Sequence, residues 1–128
     1  MLTSIKQQET PENPIDTPPI AEEVSGNEYV FLLNPAKVET LNIDFENELE
    51  ATLHLSLEGE EEMIEGLIGL DGKYRQASNG WGLRGYWTDP QTFVMDIFDI
   101  EFIKCYLHFE TDELLLEIEG EKVEGQAK

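Results

Sequence analysis

A chain of 128 residues with 40 % apolar and 9 % aromatic content supports one domain with a packed core and no stapling by metals or disulfides. Its 28 acids against 8 bases give a net charge of −20, which repels phosphate backbones and anionic membrane surfaces and so argues against nucleic acid as a partner. No apolar run approaches the roughly 20 residues of a membrane span, and the single cysteine, Cys105, rules out an internal disulfide framework.

Residues 1–27 hold four of the six prolines, Pro11, Pro14, Pro18 and Pro19, among acids and polar groups. Proline fixes φ and removes a ladder donor, so the segment reads as an extended, disordered linker or tail, dispensable through about residue 20. It lacks the apolar centre of a signal peptide. The folded domain is expected over 28–128.

From Glu28 onward the apolar period is 2. Tyr29, Phe31 and Leu33 alternate, as do Leu41, Ile43 and Phe45 against Asn42 and Asp44. Leu49, Ala51, Leu53, Leu55 and Leu57 alternate with Glu50, Thr52, His54 and Ser56, the pattern of a strand with one wet face. Turn residues separate the runs: Asn34-Pro35, Glu46-Asn47, then the acid loop 58–62. Residues 92–109 scan either as a helix or as two strands. β-branched and aromatic content, interrupted by Asp96 and Asp99, favours two strands meeting near Asp99-Ile100-Glu101. Leu114, Leu116 and Ile118 close the series. The residues predict an all-β sandwich or barrel.

Chemistry-bearing patterns are sparse. His54, His108 and Cys105 have no zinc-site spacing, and the acid loop lacks the ligand alternation of a calcium loop, so no metal or cofactor is expected. None of the four serines, Ser4, Ser25, Ser56 and Ser78, stands in G-x-S-x-G or S-x-x-K, so no catalytic residue is assigned. The segment 66–87 carries six of the ten glycines without a phosphate-binding fingerprint. Asp71-Gly72 signals a hairpin turn, and Gly85 inside a strand signals a bend or a close approach. Trp87 is read as core. Trp81, among Asn79, Gly80 and Gly82, is read as the more exposed tryptophan. Trp81, Arg84 and Tyr86 form the candidate ligand-binding set, with Arg84 two residues from Tyr86 and on its face, placed for a cation–π contact.

Three segments carry a resemblance: Ser25, Gly26 and Tyr29 after the Pro-rich stretch; Gly69, Leu70, Asp71, Gly72, Tyr74 and Arg75; and Gly85, Trp87, Asp89, Thr92 and Phe93. Their order and spacing over about residues 19–125 resemble the C-terminal domains appended to serine hydrolases related to class C β-lactamases and penicillin-binding proteins. The resemblance implies a single antiparallel up-and-down β-barrel of about eight strands, lipocalin-like. It implies a non-catalytic accessory role beside a Ser-x-x-Lys catalytic domain of the same parent chain or protomer, in an extracytoplasmic setting. The alternative reading is a freestanding lipocalin-like carrier of a small apolar ligand.

Overall fold

The computed structural model describes residues 16–128 apart from 33, 46 and 48. A short helix, α1 (Ile20–Val24), precedes ten strands: β1 (Tyr29–Phe31), β2 (Val38–Asp44), β3 (Glu50–Leu57), β4 (Ile64–Gly69), β5 (Arg75–Gln76), β6 (Gly82–Asp89), β7 (Thr92–Asp99), β8 (Glu101–Phe109), β9 (Glu113–Ile118) and β10 (Glu121–Ala127). The alternating runs become the strands expected of them. The ambiguous stretch 92–109 is indeed two strands, β7 and β8, joined by Ile100 alone. Leu49, at the head of its run, falls before β3 and is exposed. Leu33 and Glu46 lie outside the described residues.

The strands form an antiparallel β-barrel. β1 to β4 are hydrogen-bonded in chain order, β6 to β10 likewise, and β10 pairs with β1. The ring closes where β4 meets β6, so nine strands make the wall of the described barrel, in keeping with the about eight expected. Strands that alternate in direction cannot close on an odd number without two neighbours running the same way. Those two are β4 and β6, parallel through the single register pair Gly69↔Arg84. The two-residue β5 wedges into one end of this seam. It pairs with β6 at Arg75↔Leu83 and Gln76↔Gly82, and Ala77 just beyond it bridges Gly66 of β4. The seam needs glycine at both contact points. A Cβ on Gly66 would come within 2.6 Å of the Ala77 Cα, and one on Gly69 would overlap the Lys73 carbonyl oxygen.

The inward residues fill the barrel. Trp87 lies 5.1 Å from Phe45, 5.2 Å from Phe93 and 5.9 Å from Phe109, ring centre to ring centre, and Tyr29 stands 5.9 Å from Phe109. Trp87 is 2 % exposed, as expected of a core residue. Gly85 is the close approach that the sequence signals: a Cβ there would run into the Phe93 ring and come within 2.8 Å of the Val94 carbonyl oxygen.

Residues 20–24, within the segment 1–27 expected as a linker, are folded. The two prolines that exclude a helix interior stand just before α1, where a missing N–H costs nothing, and Pro19 is its N-cap. Ala21 and Val24 then bury into the core, so α1 belongs to the barrel. Ser25 fastens it: its hydroxyl donates to the Ala21 carbonyl at 2.6 Å and accepts the Phe45 N–H at 2.8 Å. The linker reading of residues 1–15 lies outside the described residues.

Two substitutions test this packing by urea denaturation. Trp87→Ala should cost about 3–5 kcal/mol, the range for a deleted buried aromatic. Val24→Ala should cost about 2 kcal/mol for two buried carbon groups. A Val24→Ala variant as stable as the parent would remove α1 from the core.

Candidate functional site

Because side chains alternate across a strand, the residues between the core positions of β6, β7 and β8 share one outer face. Registered across the three strands, they form rungs. Arg84 stands opposite Asp96, and Asp96 opposite Lys104. Tyr86 stands opposite Val94, which faces Tyr106, and Phe98 is opposite Phe102. An outer face with this composition is neither wholly wet nor wholly apolar.

Its centre is an ionic cluster under cover. Arg84 Nε donates to Asp96 Oδ2 at 3.3 Å, and Lys104 Nζ donates to Asp96 Oδ1 at 3.0 Å and to the Tyr86 hydroxyl at 3.2 Å. Arg84 and Asp96 are only 8 % and 6 % exposed although they point outward. The cover is the loop from β4 to β5. Its Gly72 carbonyl accepts from Arg84 Nη1 at 3.1 Å, and the Tyr74 ring lies under the guanidinium, 4.5 Å from Cζ to centroid. Gly82 leaves room for that ring, since a Cβ would be 3.2 Å from Tyr74 Cδ1. Arg75 pins the loop with bonds to Glu50 at 2.7 Å and to Asp71 at 3.2 and 3.1 Å.

The electrostatics follow from these bonds. Burial lowers the Lys104 pKa, but the bonds to Asp96 and Tyr86 outweigh it and hold the ammonium above its ordinary value. Arg75 hydrogen bonds pull the Asp71 carboxyl below its ordinary value. On the inner side of β8, burial first and then the charges of Asp96 and Glu119 push the Cys105 thiol up to about 12.

Beyond the ionic cluster the face turns apolar. Phe98 and Phe102 stack across the hairpin with centroids 4.8 Å apart, and Tyr74 extends the row at 6.2 and 6.5 Å. Phe102 is 65 % exposed, and Ile100 at the tip is 92 % exposed. Ile100 has φ 66°, a left-handed conformation that costs an L-residue about 1–2 kcal/mol and is least suited to a branched side chain.

Of the residues expected to bind a ligand, Arg84 and Tyr86 share this face and Trp81 does not. Trp81 has the inward parity of Leu83 and Trp87, packs against the core and lines an open concavity with Met63, Ser78 and the acid loop at 58–62. The expected Arg84–Tyr86 cation–π contact is replaced by two others: Arg84 takes the Tyr74 ring, and Lys104 lies 5.5 Å from the Tyr86 ring. Residues two apart on a strand share a face, but cross-strand and overlying groups come closer. Tyr74, Asp96, Lys104 and the tip aromatics had no sequence assignment. Their one legible signal is that Phe98 and Phe102 stand on the wet parity of their strands.

Elsewhere, His108 Nδ1 is 3.2 Å from Thr92 Oγ1 and its Nε2 is 3.7 Å from Glu117 Oε1. His54 Nδ1 is 3.9 Å from Glu65. Among the described residues no group of three or more His, Cys, Asp or Glu could hold a metal ion, and no helix is long and apolar enough to cross a membrane.

Asp96→Ala should cost about 3–5 kcal/mol in urea, because it strands the buried Arg84 charge. A triple variant, Arg84→Met with Asp96→Leu and Lys104→Met, should recover most of that loss; no recovery would mean that the ions do more than neutralise one another. Cys105 should stay unreactive to a thiol-exchange reagent at pH 8 in the folded chain and react only as the chain unfolds. Fast native labelling would contradict its burial.

Comparison of the chain with protein-family models, with curated proteins and with solved structures finds no match.

Proposed function

We propose that this barrel is a non-catalytic accessory domain of a β-lactamase-like serine hydrolase, packing on or near the catalytic domain and shaping substrate access or holding a dimer. The observation that carries this reading is the filled interior. Phe45, Trp87, Phe93 and Phe109 occupy the space where a carrier barrel keeps its ligand, which leaves the outer surface for work. The segment order that resembles such accessory domains supports it from the sequence side.

One observation favours a second reading, a carrier of a small apolar ligand. The indole N–H of Trp87 is buried with no hydrogen-bond partner. A ligand bearing one acceptor could take that proton if the rings around it moved apart. Titration with a medium-chain fatty acid, read by tryptophan fluorescence, separates the two; saturable quenching that vanishes in Trp87→Phe favours the carrier.

The arrangement nearest to hydrolytic chemistry is Thr92–His108–Glu117, an alcohol, an imidazole and a carboxylate in order. Thr92 and His108 line an open concavity, but His108 Nε2 and Glu117 Oε1 are 3.7 Å apart, beyond hydrogen-bond distance, so no carboxylate orients the imidazole as a base. The chain alone should therefore not turn over chromogenic esters or β-lactams. Turnover that survives repurification and disappears in Thr92→Val would overturn the non-catalytic assignment. The hydrolase reading itself is tested by the reading frame upstream of Met1: a Ser-x-x-Lys catalytic domain there is expected, and its absence would sink the reading.

A further inference from the structure

We infer that the tip of the β7–β8 hairpin, Phe98 to Phe102, is a docking knob for a partner protein that offers an apolar groove rimmed by lysine and arginine side chains. This goes beyond the accessory-domain reading and does not depend on the partner being a hydrolase.

The tip is built against the interests of folding. Phe98, Ile100 and Phe102 stand together in water, and their exposure contributes nothing to the core. Elsewhere the chain gives left-handed turn positions to glycine, at Gly26, Gly59, Gly72, Gly80 and Gly120, or to the polar Lys37 and Glu119. Ile100 is the one branched apolar residue among the described left-handed positions. Glycine there would relieve the strain and remove the exposed side chain at once. A strained, exposed, apolar residue at a hairpin tip is what a partner contact accounts for.

The tip is also held ready. Eight register pairs, from Thr92↔His108 to Asp99↔Glu101, join β7 to β8 down to the turn. Beneath the aromatics, Asp96 ties β6 to β8 through Arg84 and Lys104, and Tyr74 leans on Phe98 and Phe102 from the other side. A knob fixed before binding loses little freedom on docking.

Charge selects the occupant. Asp99 and Glu101 flank Ile100 directly, on a chain of net charge −20. A partner groove must answer those carboxylates with bases. On this face of a second copy Arg84 and Lys104 are committed to Asp96 and Arg75 to Asp71 and Glu50, which leaves Lys73 of the covering loop alone to answer the two carboxylates of the tip. A lipid surface would have to desolvate both carboxylates to admit Ile100.

The test is site-specific photocrosslinking, with benzoylphenylalanine in place of Ile100 in the full chain expressed in its own cells. The expected result is an adduct to one protein at one apolar site bordered by Lys or Arg. The affinity of that purified protein for the chain should then fall roughly tenfold or more in Ile100→Gly and in Phe102→Ser, and weaken as salt is raised. Ile100→Gly should meanwhile keep or raise the melting temperature, which separates docking from folding. Adducts only to another copy of the chain, only to lipid, or to nothing would overturn the inference, as would an Ile100→Gly variant of unchanged affinity. An adduct on a serine hydrolase domain supports both this inference and the proposed function. An adduct on a basic-rimmed groove of some other protein supports the inference and sinks the hydrolase reading.

Discussion

A ring of strands that alternate in direction closes without conflict only when their number is even, and here the wall formed by the described residues has nine. The conflict is met at the β4–β6 seam, where one parallel register pair replaces a full antiparallel ladder. Much else in the molecule follows from that seam. The chain between β4 and β6 does not run as a full wall strand, which would have made an even ring of ten; β5 is two residues long and the loop before it leaves the wall. That loop needs somewhere to lie. It lies over the outer face of β6, with Gly66, Gly69 and Gly82 clearing the backbone and ring contacts it makes.

The displaced loop explains why charged residues on an outer face are buried. Tyr74 and the Gly72 carbonyl cover Arg84, and Arg84 with Lys104 covers Asp96. A single buried carboxylate would be strongly unfavourable; shared between two cations, one of which also bonds the Tyr86 hydroxyl, it becomes a local fastening. It joins β6, β7 and β8 on the side opposite the core. The hairpin is therefore gripped from both faces, by Phe93, Met95 and Leu107 within and by the ionic cluster without. Such a grip is what lets the tip project apolar side chains without collapsing them onto the wall.

The same division of labour bears on function. Small barrels either fill their interior with side chains or leave a cavity for a ligand. Here Phe45, Trp87, Phe93 and Phe109 occupy it, while the outer surface carries an aromatic row ending at Ile100. This arrangement is the basis on which we propose that the domain works by touching another protein. Its high negative charge sets the complement that such a partner must bring.

Strand identity was legible because burial on one face writes period 2 directly into the chain, as at Leu41–Ile43, Ala51–Leu55 and Leu114–Leu116. Trp87 was legible as core for the same reason, and so was the break between β7 and β8 at residues 99–101. The N-terminal boundary was misjudged because prolines signal where a helix cannot continue but not where one can begin; Ala21 and Val24 are buried only because a barrel end awaits them. The parallel closure between β4 and β6 was not legible either, since local pattern says nothing of how a ring closes. Nor was the outer face. Arg84, Asp96, Lys104 and Tyr74 are brought together by cross-strand register and by the path of a loop, both of which are long-range facts. Sequence alone determined which residues alternate, because burial on one face is written locally into each strand. Tertiary structure decided which outward residues meet, because register and closure depend on strands far apart in the chain, and no local window contains them.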